Sequence, residues 1–354
     1  MEGALSGVKV LDLSRVLAGP YASQNLADLG AEVLKIEAPW GDDTRSWGPL
    51  FAKDVAAYFL SCNRGKQIIR MNLKEQKMEL QHLISQADVI VENFRPGTFD
   101  RLAPDLPGDK ILCSISGYGA TGPRSSEPGY DLSLQARSGI MSITGEDGRP
   151  PVKVGVAWID VITGLQATSA IIAALFHRER TGLGQRIDIS LWDCAIAALV
   201  NQAQNRIATG EDPKPMASAH PNLVPYRAFE ASDGWFVIAI GSDEQWRRAS
   251  GALGLPDNKQ WEKNADRVED RSNLESLLAD IFIRESRDHW EQKLSGLPFA
   301  AVNTVGQALE DEQSIARGAI WTVDGVETLA NPLRGMSLTP ARPKSHVRTS
   351  FQLD

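Results

Sequence analysis

Three cysteines in 354 residues (Cys62, Cys113 and Cys194) are too few and too far apart to build a disulfide framework. No CxxC pair occurs and no two histidines have metal-ligand spacing, so no metal site is expected. The first strand-to-helix turn, Val16–Pro20, carries no GxGxxG, which weakens a nicotinamide or flavin reading. It has no GxSxG, which disfavours a Ser–His–Asp hydrolase. Positive charge is not in excess: 37 Lys and Arg face 45 Asp and Glu, a net charge of −8. Phosphate neutralisation needs clustered cations, so no nucleic-acid partner is expected. A charged segment followed by an apolar core is lacking at the N-terminus, so no signal peptide is read. The longest apolar stretch, Trp158 to Phe176, carries Asp160, Gln166 and several Ser and Thr residues. A buried helix is expected there, not a membrane span. Together these absences point to a protein of the reducing cytoplasm with no membrane partner.

What is present is an alternation of strand and helix patterns over the first 120 residues. Val8–Leu13, Ala31–Ile36, Gln67–Met71, Asp88–Glu92 and Lys110–Ile115 read as short apolar strands, separated by the helical spacings of Tyr21–Leu29 and Lys74–Ala87. Continuous apolar runs of this kind suit a parallel sheet covered on both faces. Asp160–Arg180 predicts a long helix, Arg186–Ser190 a strand, and Leu191–Ile207 a further helix. The proline-rich stretch Thr209–Pro225 predicts a linker or active-site loop. Beyond it, Asp233-Gly234 between two strand-like runs predicts a hairpin, and charged helices follow over Glu244–Leu253 and Arg271–Leu294. The expected fold class is α/β. Residues 1–208 form the first part of a large domain, 209–225 a linker, 226–310 a smaller α+β domain, and 311–354 a segment returning to the large domain.

Four stretches carry chemistry-bearing residues. Val16-Leu17-Ala18-Gly19-Pro20 is a strand-to-helix turn whose free N–H groups favour an anion. Asn93-Phe94-Arg95-Pro96-Gly97 follows a strand directly, where ligands gather in open α/β sheets. Gly117-Tyr118-Gly119 is a glycine-rich strand end whose amides could line an oxyanion pocket. The segment Gly129 to Gly155 supplies Asp131, Glu146 and Asp147, the last two between glycines. Asp131 precedes a helical pattern and could simply cap it, and Asp147-Gly148 could be a plain turn. A carboxylate is a poor nucleophile unless a strongly electrophilic partner such as a thioester meets it. His220, in Ala-His-Pro-Asn, is the one histidine in a loop with functional character.

Taken in order, LSGVKVLD (Leu5–Asp12), Leu17–Tyr21, DLGAEVLKIE (Asp28–Glu37), DTRSW (Asp43–Trp47), NRGK (Asn63–Lys66), Asn72–Lys74, DVIVENFRPGTFDR (Asp88–Arg101), Gly117–Pro123, Gly129–Gly155 and RERTGLGQRIDI (Arg178–Ile189) resemble the family III CoA-transferases. That group includes formyl-CoA transferase, carnitine CoA-transferase and α-methylacyl-CoA racemase. The resemblance implies a Rossmann-like large domain, a smaller domain, and a homodimer of interlocked rings. It implies coenzyme A as a substrate, held near Val16, Ala18, Asn72, Lys74, Asn93, Phe94, Arg101 and Tyr118, with a carboxylic acid as the second partner. It places the nucleophile on Asp147, with Glu146 or Asp131 as substitutes and Gly117 and Gly148 beside the developing oxyanion. Where the racemases carry a histidine before the aspartate that here is Asp131, this chain has Tyr130. A phenol of pKa near 10 is a poor base at neutral pH, so the transferase is expected over the racemase, although Asp160 lies near that group's second acid/base. No run of glycines corresponding to the lid of formyl-CoA transferase is present, and Ala219-His220-Pro221-Asn222 occupies a comparable position. A non-catalytic CoA-binding protein is the third expectation. Arg124, Arg137 and Arg149 are candidates to pair a second carboxylate.

Overall fold

The computed structural model describes residues 3–48, 51–52, 55–255 and 259–336. Pro340 and Pro343 of the expected returning segment lie outside the described residues. The chain divides into two units. One comprises residues up to Met141, Lys153–Glu211, and the C-terminal segment from Glu312. The other comprises Ser142–Val152 and Asp212–Asp311. The turn carrying Glu146 and Asp147, which the sequence reading kept with the large domain, therefore groups with the second unit.

The first unit is organised by six parallel strands. They are β1 (Lys9–Asp12), β2 (Glu32–Glu37), then, past the two-residue strands β3 (Phe51–Ala52) and β4 (Val55–Ala56), β5 (Lys66–Arg70), β6 (Val89–Glu92), β7 (Ile111–Ser116) and β8 (Gln185–Ser190). Their spatial order is β5-β2-β1-β6-β7-β8, which is the doubly wound 3-2-1-4-5-6 order. Each crossover carries helix or loop. The first is α1 (Ala18–Asp28), followed by α2 (Ala57–Ser61), α3 (Lys77–Gln86), α4 (Thr98–Leu102), α5 (Asp131–Arg137), α6 (Ile140–Ile143) and the 24-residue α7 (Trp158–Thr181). Side chains alternate across the pleat. Val10, Val89 and Ile111 pack towards α1 and α7, while Leu11, Ile90 and Leu112 pack towards α3. Both faces are covered, which is why the strands read as unbroken apolar runs.

The predicted helix Leu191–Ile207 is two helices, α8 (Leu191–Ala197) and α9 (Val200–Thr209). The break falls just before Val200, which opens α9 at φ +40°, a conformation that does not continue a right-handed helix from α8. From Glu312 the chain adds a short helix and a two-stranded hairpin. Asn331 Nδ2 then donates to Asp28 Oδ2 at 3.0 Å, tying this segment to α1.

In the second unit, strands Tyr226–Ala231 and Gly234–Ala239 form the predicted hairpin at Asp233-Gly234, joined by Phe299–Ala301 in an antiparallel sheet. Helices Asp243–Leu253, Arg271–Phe282 and Arg287–Lys293 cover it around Phe229, Phe236, Phe282 and Trp290. The run expected as one helix, Arg271–Leu294, is interrupted because Ser286 Oγ accepts the His289 N–H and starts a new helix.

Candidate active site

A cavity of ≈ 790 Å³ opens at the carboxyl ends of β1, β2, β5, β6 and β7, all within the first unit. The chain winds outward in one direction from β1 to β5 and in the other from β6 to β8, so the loops after β1 and β6 part there and leave a crevice. Of the residues expected to hold the cofactor-like substrate, Val16, Ala18, Asn72, Lys74, Asn93 and Phe94 line this cavity, and so does Gly117. Arg101 and Tyr118 do not. Arg101 donates from Nη2 to Thr98 Oγ1 at 2.9 Å. Tyr118 is half-buried beside Trp192, with the Arg137 guanidinium 5.7 Å from its ring centre.

The turn after β1 is under strain. Val16 has φ +71°, where a β-branched side chain crowds its own backbone, at a cost on the order of 1–3 kcal/mol. Side chains from four other elements hold it. Lys35 Nζ on β2 donates to Ser14 O at 2.7 Å. Lys66 Nζ on β5 donates to Pro20 O at 2.8 Å and to Asp12 Oδ2 at 3.0 Å. Asn93, after β6, accepts the Arg15 N–H at 3.0 Å and donates to Arg15 O at 2.7 Å. The Cys62 thiol lies 3.6 Å from Val16 O. Asp12, Lys35 and Lys66 are fully buried. Burial opposes the charge on Asp12, but Lys66, Lys35 and the Ser14 and Ser23 hydroxyls hold its carboxyl well below the usual range. Burial pushes Lys66 down to about 8 against the pull of Asp12. A Cβ on Gly19 would collide with the Ser14 side chain, so the turn needs glycine there.

Gly117 serves a close crossing, since a Cβ on it would lie 2.8 Å from Gly129 Cα. The Gly119 N–H, an expected oxyanion donor, is committed to Ser116 Oγ at 2.9 Å.

Five carboxylates line the cavity: Glu37, Asp42, Asp43, Glu127 and Asp160. Four are spoken for. Glu37 takes both arms of Arg45 at 2.7 Å. Asp42 pairs with Lys35 at 3.1 Å and Asp43 with Arg15 at 3.2 Å. Glu127 takes Arg124 at 2.8 Å and Arg137 at 3.3 Å, so both arginines stand beside the cavity on a single counter-ion. Among the described residues, the Asp160 carboxylate meets no cation and no donor. Burial and the charge of Asp131 push it up to about 7. Burial, with Asp160 next in effect, also pushes the Tyr58 phenol up.

Asp160 is placed by two devices. Asp131, itself buried, does not cap its own helix. Its Oδ1 accepts the Ile159 N–H at 2.7 Å and the Asp160 N–H at 3.3 Å, which caps α7 from outside. Its Oδ2 accepts from Gln135 Nε2 at 2.5 Å, and Gln135 Oε1 accepts the Val154 N–H at 2.9 Å. One turn along α7, Gly164 lets the helix close on α1, where a Cβ would come within 2.8 Å of Ala18 O.

Asp147 and Glu146 belong to the second unit. Both are exposed on the turn of the second unit, with Arg149 N–H donating to Glu146 O at 3.2 Å and the Arg149 side chain 3.8 Å from the Glu146 carboxylate. Gly148 supplies that turn with φ +73°. His220 is also in the second unit. Its Nδ1 accepts the Asn222 N–H at 3.1 Å and its ring packs on Tyr226, so it braces its own loop. The sequence reading placed Asp160 only near the racemases' second acid/base, since it stands where a helix ordinarily carries a first-turn acid. The signal available was a lone carboxylate in an otherwise apolar run.

A family model, CoA-transferase family III, matches residues 5–347. The chain belongs to CoA-transferase family III. It is 40% identical over 338 residues to succinyl-CoA:glutarate CoA-transferase of Mus musculus, covering 90% of this chain and 77% of that one. It is 39% identical to succinate–glutarate CoA-transferase of Agrobacterium fabrum, covering 89% and 84%. A solved structure, a CaiB/BaiF family protein from Brucella suis, superposes with a TM-score of 0.87 at 41% identity, over 97% and 96% of the two chains. This family III member is therefore an enzyme that moves coenzyme A between carboxylic acids. Its six-stranded parallel sheet with added small antiparallel sheets is the fold of that structural relative.

Proposed function

We propose that Asp160, rather than Asp147, is the nucleophile of this CoA-transferase, and that acyl-CoA enters the strand-end cavity beside Val16, Ala18, Asn72 and Lys74. The observation that carries this reading is the unpaired Asp160 carboxylate in the cavity wall, where the other four carboxylates are neutralised. A carboxylate of raised basicity is a better nucleophile once ionised, and at neutral pH about half of it is ionised.

An Asp160 oxygen attacks the thioester carbonyl. The new C–O bond forms, the C–S bond breaks, and CoA leaves as thiolate from a mixed anhydride. The thiolate attacks the aspartyl carbonyl, forming an aspartyl-CoA thioester and releasing the donor acid as carboxylate. The acceptor carboxylate then attacks this thioester and expels the thiolate. Attack of the thiolate on the acceptor's acyl carbonyl restores Asp160 and gives the new acyl-CoA. The activated acyl bond is exchanged at each step, so no ATP is consumed.

Dicarboxylates are the proposed acids. Arg124 and Arg137 share Glu127 at the cavity, and either can turn to a substrate's second carboxylate. The relatives named above act on succinate and glutarate. Two copies are proposed to interlock. The proposal is supported by α7, which leaves Leu165 and Phe176 exposed, and by α9, which buries no residue and exposes Val200 and Ile207. A cytoplasmic setting is supported by three free cysteines, all buried.

The test is CoA exchange between succinyl-CoA and glutarate. Asp160→Asn and Asp160→Ala should each lose at least about a thousandfold in kcat, the scale on which loss of a covalent nucleophile is felt. Asp147→Asn should stay within a few-fold of the parent. Near-parental turnover in Asp160→Asn sinks the assignment. A basic carboxylate could instead remove an α-proton, so wash-in of deuterium from D₂O without acceptor acid would favour epimerisation.

A further inference from the structure

Asn93 bridges the two loops that part at the switch point, and it does so with both ends of its amide. Its Oδ1 accepts the Arg15 N–H at 3.0 Å, and its Nδ2 donates to Arg15 O at 2.7 Å. Arg15 immediately precedes Val16, the residue held at φ +71°. The Arg15 side chain plays no part in this bridge, since it reaches to Asp43 at 3.2 Å. Of the turn's other fixed points, Lys35 bonds Ser14 O, the carbonyl of the peptide whose N–H Asn93 accepts, the Cys62 thiol lies 3.6 Å from Val16 O, and Lys66 bonds Pro20 O farther along; among the described residues only Asn93 reaches Arg15 O.

Resting on the CoA-site reading, we infer that Asn93 is a positioning residue. It holds the Arg15–Val16 turn in the left-handed form that receives acyl-CoA, and it acts through the Arg15 peptide groups instead of touching the ligand. The bridge uses one of the amide's two N–H donors and one of its two acceptor lone pairs, and because both bonds go to Arg15 they fix the side chain's orientation on that residue. The strain at Val16 supplies the reason for a clamp, because an unheld β-branched residue leaves the left-handed region.

Strain and clamp make a double-mutant cycle decisive. Glycine takes φ +71° without penalty, so Val16→Gly removes the need for the clamp. CoA binding is measured by calorimetry on the parent, Asn93→Ala, Val16→Gly and the double variant. The clamp predicts that Asn93→Ala weakens CoA binding about tenfold or more beside Val16, and less than about threefold beside Gly at position 16. Equal losses in the two backgrounds overturn the inference and make Asn93 a direct ligand contact. Absence of CoA binding by the parent overturns the site reading, and this inference with it. Amide exchange of residues 13–17 in the ligand-free protein is an independent measure, and Asn93→Ser is the milder variant should Asn93→Ala not fold. Faster exchange in this segment supports the clamp, and unchanged exchange overturns it.

Discussion

Asp131 Oδ1 accepts the backbone N–H of Ile159 at 2.7 Å, so one carboxylate closes the first turn of the helix that carries another, Asp160. The two acids differ in what surrounds them. Asp131 is spent on two helix N–H groups and an amide, while Asp160 has no such partners and feels the charge of Asp131. Environments that separate a carboxylate pair in this way assign the roles of its members.

The first prediction concerns pH. The nucleophile must be ionised, so kcat/KM for acyl-CoA should rise with pH and level off above about 7, where Asp160 titrates. The titratable groups facing Asp160 are Asp131 from α5 and Tyr58 from α2. Asp131→Asn keeps an acceptor for the Ile159 N–H but removes the charge. It should move the limb down by roughly one pH unit. A limb that stays in place would mean that Asp131 acts on helix structure alone.

A second prediction concerns stability. Asp160 titrates at about 7 in the folded chain against an ordinary value of 3.8. The folded state therefore binds the proton more tightly across that window. Its contribution is fully present below about 3.8 and is lost as pH rises through 7. Asp160→Asn should flatten this part of the stability–pH curve. At pH 8 it should be more stable than the parent by roughly 1–3 kcal/mol. Denaturant titrations at pH 5 and pH 8 measure both effects, and an unchanged slope would contradict the assigned titration.

A third prediction tests the packing that brings α7 to the cavity. Gly164→Ala places a methyl 2.8 Å from Ala18 O and 3.1 Å from the Tyr21 ring. The two helices must part, at a cost of about 1–3 kcal/mol. The melting temperature should fall by several degrees, and KM for acyl-CoA should rise because Ala18 and Asp160 both line the cavity. A parental melting temperature would show that α1 and α7 yield freely at this point.

Much of this could be read from the chain alone. The strands Val89–Glu92 and Ile111–Ser116 were legible because both faces of the sheet are covered, which leaves an unbroken apolar signature. The loops carrying Val16, Asn93 and Gly117 were legible as strand-end sites, since doubly wound sheets part there whatever the side chains. Which carboxylate stands unpaired in the crevice was not. Asp147 between glycines looks available and Asp160 in a helical run looks structural, because sequence shows what a residue is and not what meets it. Pairing and burial are through-space properties. Arg45, Lys35, Arg15, Arg124 and Arg137 had to fold onto the other four acids before Asp160 stood alone. The same holds for Asn93. As a polar residue after a strand it reads as a ligand contact, and only the fold brings it to the Arg15 peptide, 78 residues away. Local pattern thus determined the sheet and the place of its crevice, and tertiary structure decided which groups in that crevice were left free to react.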